Sequence, residues 1–410
     1  MTYMPESVWE LNITPNVTNG VGAIEELGAI GGEFGTGSAL VVTDPGLVEA
    51  GIIDEVTATI DAFEYTVFDG VEPDPAVGVF ETAIEEANAV DPDLVVGVGG
   101  GSAMDVAKTT SVVAEHGGDV LDYVAQPTGA GEPVPGPGIP TVAVPTTAGT
   151  GAETSPVTVI SLPEEDLKVG ISSRYQRPDT AVLDPALSVS LPPGPTASSG
   201  MDALSHAIEA YVTRPYDAKP APEHRSERPD YNGRSPVTDL FAKSAIERIG
   251  DNLRAAVDNG QNLDARREML LGSFMAGAAF TNAGLGATHA IAMAAGAIHH
   301  TPHGVTIAHA LPAVMRYNAT SAYDRYAEIA EILGEDTSGL SRDESSEAAA
   351  RAVEKLAADV GIDGGLSALG IGDSDVAHLA ERANQLERLL AGNPRRIDRD
   401  DLEAIIRDAL

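Results

Sequence analysis

A chain of 410 residues, 43% of them hydrophobic, is long enough to bury a large core and to form two or three domains, which excludes a binding peptide or a disordered tail. Its formal charge of -37, from 62 acidic against 25 basic side chains, repels nucleic acid and offers phosphate groups no basic face. Cysteine is absent, which excludes disulfides, thiolate nucleophiles and sulfur-ligated metals, so any metal must be held by nitrogen and oxygen.

Such a charge repels itself in dilute buffer and is screened by salt, and it is read as adaptation to high salt. The first residues, MTYMPESVWELN, carry neither a basic segment nor an apolar run, and later apolar stretches are broken before they reach membrane-spanning length. A cytoplasmic protein with no membrane and no nucleic-acid partner is expected.

In chain order, SALVVTD at 38–44 predicts a buried strand, VEAGIIDEVTATI at 48–60 a helix, and EYTVFDG at 64–70 a strand. AVGVFETAIEEANAV at 76–90 predicts a helix and DLVVGVGGG at 93–101 another buried strand. After the loop PTGAGEPVPGPG, IPTVAVPTTAG continues the series; VTVIS and KVGIS look like a two-stranded excursion, and TAVLDP like a returning strand. This alternation implies parallel βα units in an open sheet, with loops at the carboxyl ends of the strands available to a ligand.

From about residue 195 the pattern turns helical, as in PVTDLFAKSAIERIGDNLRAAV, LDARREMLLGSFMAGAAF and SSEAAARAVEKLAADV. Two domains follow: an α/β domain over 1–194 with an open, mostly parallel sheet, and an all-α domain over 195–410. The run LPPGPTASS reads as a helix-breaking passage between them. RPYDAKPAPEHRSERPDYNG at 214–233 has no period and many prolines, and reads as a long loop.

VVGVGGGSAMDVAK runs from a strand into a helix. Gly99, Gly100 and Gly101 let the backbone approach an anion, and Ser102 with the helix N-terminus offers donors to a pyrophosphate. It is not the G-x-G-x-x-G fingerprint, because Ser102 stands where the last glycine would be. A second polar turn, VPTTAGTGAE, places Thr146 and Thr147 for ribose or phosphate oxygens. Asp44, ending the strand in VVTDP, could accept bonds from ribose hydroxyls and repel a 2'-phosphate, favouring NAD over NADP; it fits a helix cap equally well.

In GMDALSH, Asp202 and His206 lie at i and i+4 and face the same way on a helix, where two groups can meet one ion. Pairs of this kind also occur as surface contacts. GATHAIAMAAGAIHHTPHG adds His289, in a run too poor in charge to be exposed, and His303 at a predicted helix start. One oxygen and three nitrogens can hold a divalent ion and leave positions open for a substrate oxygen, and iron, zinc, cobalt and nickel all accept such a set. His116, His224 and His378 read as solvated, and His299, His300 and His309 as bystanders near the site.

With VVTDP, GGGSAMDVAK, PTTAGTGAETS, AVLDPAL, GMDALSHAIEAY, THA and TPHG in this order, the chain resembles the iron-containing alcohol dehydrogenase family, group III type, from about residue 12 to its last helices. The resemblance implies a dehydroquinate synthase-like architecture, with an N-terminal NAD(P)-binding domain and a helical domain holding Fe2+, or sometimes Zn2+, on Asp202, His206, His289 and His303. It implies cofactor roles for Asp44, Gly99, Gly100, Gly101, Ser102, Asp105, Thr146, Thr147 and Lys168, the last near the nicotinamide ribose. The implied reaction is hydride transfer between an alcohol, or its aldehyde or ketone, and the nicotinamide, with the metal as Lewis acid on the substrate oxygen. A homodimer or larger homo-oligomer is implied as well.

Two features depart from the simple dehydrogenases. Met293 stands where many of them carry another histidine near the substrate, and the loop at 214–233 resembles that of the hydroxyacid-oxoacid transhydrogenase branch. That branch implies a hydroxyacid substrate and a tightly bound NAD. A dehydroquinate synthase-type lyase and a non-enzymatic NAD-binding protein are the remaining alternatives.

Overall fold

In the computed structural model, which describes residues 8–165, 167–218, 221–224, 228–229 and 231–410, the chain packs as two units. The first comprises Ile13–Leu191 and Gly260–Leu271. It holds β1 (Asn16–Asn19), α1 (Leu27–Glu33), β2 (Ser38–Val42), α2 (Pro45–Glu49), α3 (Ile52–Ala58), β3 (Glu64–Phe68), α4 (Val77–Val90), β4 (Leu94–Gly99) and α5 (Gly101–His116). β5 (Thr141–Pro145), β6 (Val157–Leu162), β7 (Leu167–Ser172) and β8 (Thr180–Leu183) follow.

Six strands form a parallel sheet in the order β1-β8-β5-β4-β2-β3, and β6 and β7 pair antiparallel as a separate hairpin. Because side chains alternate along a strand, Leu40, Val42 and Val95 join Phe80 of α4 and Val106 of α5 in one core, while Ala39, Val41, Val96 and Val98 join Ile52, Ile53 and Val56 of α3 in another. Burial of both faces is why these strands read as unbroken apolar runs. From β2 the chain goes outward to β3, and from β4 it goes the other way to β5. The order reverses between β2 and β4, the kind of position at which open α/β sheets take ligands, beyond the carboxyl ends of the strands.

Two elements differ from the expectation. The helix predicted over 48–60 is split into α2 and α3 at Gly51, whose φ of 76° is left-handed and ends the first turn sequence. β1, with the polar sequence NVTN, has no apolar alternation to announce it; its backbone pairing with β8, from Asn16–Thr180 to Asn19–Leu183, makes it a strand.

The second unit, the described residues up to Asn12 with Pro192–Asn259 and Gly272–Leu410, is helical. It is built from α6 (Pro193–Val212), α7 (Pro236–Asp258), α8 (Leu263–Ala283, its part from Gly272 onward), α9 (Ala287–His299), α10 (His303–Ile332), α11 (Arg342–Asp359), α12 (Val376–Asn384), α13 (Glu387–Leu390) and α14 (Arg399–Asp408). α6 packs against α7 and α10, and α10 against α11, around Leu204, Ile208, Ile246, Ile249, Leu311, Val314 and Val353, all buried.

The run LPPGPTASS does not break the helix but starts it. α6 begins at Pro193 after the N-cap Pro192, in the first turn, where a missing N–H breaks no intrahelical bond. Residues 219, 220, 225–227 and 230 of the loop predicted at 214–233 lie outside the described residues. Within that stretch Tyr216–Ala218 forms one 3-10 turn, and Pro215 bridges to Arg234. Among the described residues no helix is long and apolar enough to cross a membrane.

Candidate metal centre and nucleotide edge

Asp202, His206 and Glu209 are spaced by four and then three residues along α6, so they line up on one of its faces, and all three are buried. α9 starts after its N-cap Gly286 and carries His289 in its first turn, and His303 opens α10. The Nε2 atoms of His206, His289 and His303 lie 3.8, 3.7 and 3.7 Å from Asp202 Oδ1. Such separations exceed hydrogen-bond length and suit donors that share an ion, since ligands about 2.1 Å from a tetrahedral centre sit roughly 3.5 Å apart.

Asp202 Oδ1 and His289 Nε2 are buried and lack a hydrogen-bond partner among the described residues. Leaving them so costs free energy that a divalent ion at their meeting point would offset. Asp202, His206 and His289 each place a ligand atom within 4.8 Å of the others and so fit a first-row divalent metal, and His303 Nε2 offers a further nitrogen 3.7 Å from the same carboxylate oxygen. The side chains of Asp202, His206 and His289 are 6, 7 and 5% exposed against 39% for His303, so solvent reaches the cluster from the His303 side. Phe280 and His289 stack on the His206 ring, with centroids 4.3 and 4.5 Å away, and fix its plane.

Burial works against charge on Asp202, but the imidazoles of His206, His303 and His289 outweigh it and hold the carboxyl well below the usual range. Burial pulls His206 down to about 4, so it stays neutral and able to ligate. For His289 burial is overcome by Asp202 and Glu209, which push it up to about 9. Glu209 is the residue in contact with this cluster that the sequence did not reveal. Its Oε2 lies 2.6 Å from His289 Nδ1, and three residues past a histidine on a helix a glutamate ordinarily reads as a solvated charge.

At the sheet edge, Gly99 has a φ of 147°, and a Cβ there would come within 2.8 Å of Ala103 Cβ. The turns after β4 and β5 meet: Thr146 N donates to Gly99 O at 3.0 Å, and a Cβ on Gly101 would come within 2.8 Å of Thr150. Gly100 caps α5, so the N–H groups of its first turn, including Ser102, open at this edge; Thr147 lies beside Gly100. Asp44 follows β2 at the reversal of strand order. Its Oδ1 caps α2 by accepting from Leu47 N at 3.2 Å.

Asp105 and Lys168 have partners within the protein. Asp105 Oδ1 is 2.7 Å from Lys108 Nζ, and its Oδ2 accepts from Val159 N at 2.9 Å. Burial raises the Asp105 pKa against the pull of Lys108. Lys108, itself buried, also donates to the carbonyls of Ala152, Ser155 and Val157 at 3.3, 3.3 and 2.8 Å, tying the hairpin β6–β7 to α5. Lys168 Nζ pairs with Asp74 Oδ1 at 2.6 Å.

Residues 14–185 match the family described as iron-containing alcohol dehydrogenase, and residues 231–410 match the C-terminal region of the Fe-containing alcohol dehydrogenase family. The NAD-dependent methanol dehydrogenase of Bacillus methanolicus is 36% identical over 400 residues, covering 97% of this chain and 99% of its own. The mitochondrial hydroxyacid-oxoacid transhydrogenase of Pongo abelii is 33% identical over 407 residues, covering 95% and 87%. Among solved structures, that of a 1,3-propanediol oxidoreductase superposes with a TM-score of 0.89 at 36% identity, covering 98% of this chain and all of its own. Likeness over this length sets the chain among the alcohol-type oxidoreductases, with the dehydroquinate synthase-like architecture. It belongs to the iron-containing alcohol dehydrogenase family.

Proposed function

We propose that this chain is an NAD-dependent alcohol dehydrogenase in which Asp202, His206, His289 and His303 hold one divalent ion. The supporting observation is the set of three imidazole Nε2 atoms 3.7 to 3.8 Å from the unpartnered Asp202 Oδ1. Family membership favours Fe2+, and the ligand atoms accept Zn2+ equally. An ion there supplies a Lewis acid to the oxygen of a bound alcohol or carbonyl substrate.

The chain's own residues bind and orient the reactants. Asp202 brings the single negative charge of the ligand set, so three neutral imidazoles leave the site positive overall. Gly99, Gly100, Gly101 and Ser102 would receive the NAD pyrophosphate at the start of α5, with Thr146 and Thr147 adding hydroxyl groups. Asp44 would accept from the adenosine ribose, and its charge would disfavour the 2'-phosphate of NADP. Lys168 would reach the nicotinamide ribose on leaving Asp74, and Asp105 would support this edge through Lys108.

Protein loaded anaerobically with Fe2+, or with Zn2+, should reduce NAD+ in the presence of a primary alcohol, in proportion to its metal content. Full metal occupancy with no hydride transfer to NAD+ from any primary or secondary alcohol would remove the proposal. A transhydrogenase is the second reading, supported by the 33% identical relative and by Met293, which puts no proton-carrying group one turn beyond His289. Turnover of a paired hydroxyacid and oxoacid without free NAD+ would select it.

We also propose a homodimer that works in the cytoplasm at high salt. The charge of -37 supports the salt requirement, because screening relieves the repulsion between acidic side chains. Far-ultraviolet circular dichroism in molar KCl and in dilute buffer checks it: equal helix content in both would count against it.

A further inference from the structure

We infer that Glu209 is a positioning residue for the metal centre, its carboxylate holding His289 in the one tautomer that turns the Nε2 lone pair toward the ion. The inference rests on the metal proposal above. Glu209 is 3% exposed and lies on the same helix as Asp202 and His206, one turn beyond His206.

Its oxygens meet three donors within four residues, two backbone N–H groups and one ring nitrogen. Oε2 accepts from Gly286 N at 3.0 Å and lies 2.6 Å from His289 Nδ1, and Oε1 accepts from Thr288 N at 2.8 Å. A carboxylate that already receives two backbone N–H groups offers His289 only an acceptor, so the hydrogen of the neutral ring sits on Nδ1. When an ion displaces the second ring proton, the lone pair is then on Nε2, the nitrogen 3.7 Å from Asp202 Oδ1 that is buried without a partner.

The same contact sets the register of α9. Gly286, Thr288 and His289 form the entry to that helix, so one side chain of α6 fixes the height and rotation of its first turn against Asp202 and His206. Asn393 holds the other side: its Oδ1 accepts from Ala287 N at 3.3 Å and from Asn318 Nδ2 at 3.0 Å. Space is tight as well, since a Cβ on Gly286 would lie 2.9 Å from Asn393 Oδ1 and 3.0 Å from Glu209 Oε1.

Glutamine cannot replace this carboxylate. With its nitrogen at the Oε1 position it would oppose the Thr288 N–H donor to donor. With its nitrogen at the Oε2 position it would donate to Nδ1 and move the ring hydrogen to Nε2, where the ion must bind.

Two measurements test the inference. Zn2+ competition against a chelator should show Glu209→Gln binding about 10–100-fold more weakly than wild type, the range for loss of a ligand's hydrogen-bond partner. Melting of the metal-free Glu209→Gln protein should stay within about 3 °C of wild type. On the wild-type chain loaded with Zn2+, 15N-histidine NMR should find the hydrogen of His289 on Nδ1 and the metal on Nε2, and this result decides the matter if the variant does not fold. Wild-type affinity in the folded Glu209→Gln protein, or a His289 without hydrogen on Nδ1, would overturn the inference while leaving the metal proposal intact. Wild-type protein that takes up no Zn2+ would overturn both.

Discussion

The Asp–His cluster of the helical unit and the glycine edge of the sheet satisfy their polar groups in opposite ways. At the cluster, Asp202 Oδ1 and His289 Nε2 are buried without partners, so the protein carries a cost that an ion would relieve. At the edge, Asp44 caps α2, Asp105 pairs with Lys108 and Lys168 with Asp74, and the absent side chains at Gly99 and Gly101 let Ala103 and Thr150 pack closely against the backbone. Removing a group from the cluster should therefore cost ligand binding and little folding stability, whereas removing a charge at the edge should cost stability first.

The largest effect expected is at the cluster. His206→Ala should lose its metal and lower kcat/KM by about 10^3-fold or more, equivalent to about 4 kcal/mol, while a fluorescence titration still shows NADH binding. Retained metal and turnover would end the assignment of His206.

Next is the buried pair of the edge. Asp105→Ala strands the ammonium of Lys108, whose side chain is fully buried, and should lower stability in urea by about 3 kcal/mol, with NADH affinity in the folded fraction unchanged. Weakened NADH binding at unaltered stability would instead return Asp105 to direct contact with the cofactor.

Glu153 supplies a pH signature in the same unit. It is 2% exposed, and burial pushes its carboxyl up from 4.5 to about 7. A folded pKa above the unfolded one means the folded state holds its proton more tightly, so the contribution is complete below pH 4.5 and is lost as pH rises through about 7. Glu153→Gln has no such titration, and its stability relative to wild type should climb by about 3 kcal/mol between pH 4.5 and pH 7.5. A flat difference across that window would show that Glu153 is ionised throughout.

The smallest expected effect separates the two roles of Asp44. Asp44→Ser keeps an N-cap acceptor, so the melting temperature should hold, while the preference for NAD over NADP should fall by about tenfold, or 1.4 kcal/mol. A changed melting temperature with unchanged preference would leave Asp44 as a cap only.

The parallel sheet was legible because strands buried on both faces are written as runs such as LVVGVG, and the helical unit because its apolar residues recur at helical spacing. β1 was not, since an exposed strand held by backbone pairing needs no apolar side chain. Pro193 misled in the other direction: the residue that breaks a helix interior is tolerated in its first turn. Lys108 was silent for a similar reason, because only the carbonyls of Ala152, Ser155 and Val157, brought from another segment, make a buried lysine tolerable.

By itself the sequence determined which residues share a helix face, since 3.6 residues per turn puts Asp202, His206 and Glu209 in line whatever surrounds them. The charge-poor run around His289 and the segment TPHG then offered two further nitrogen donors, and resemblance to a family implied that they join the pair, since no spacing connects them to that face. Only the tertiary structure decided that the Nε2 atoms of three helices converge on one carboxylate oxygen, and that Glu209 turns inward to His289 rather than out to water. The physical reason is that a helix fixes directions within itself, while the partner a side chain meets depends on which helix packs against that face.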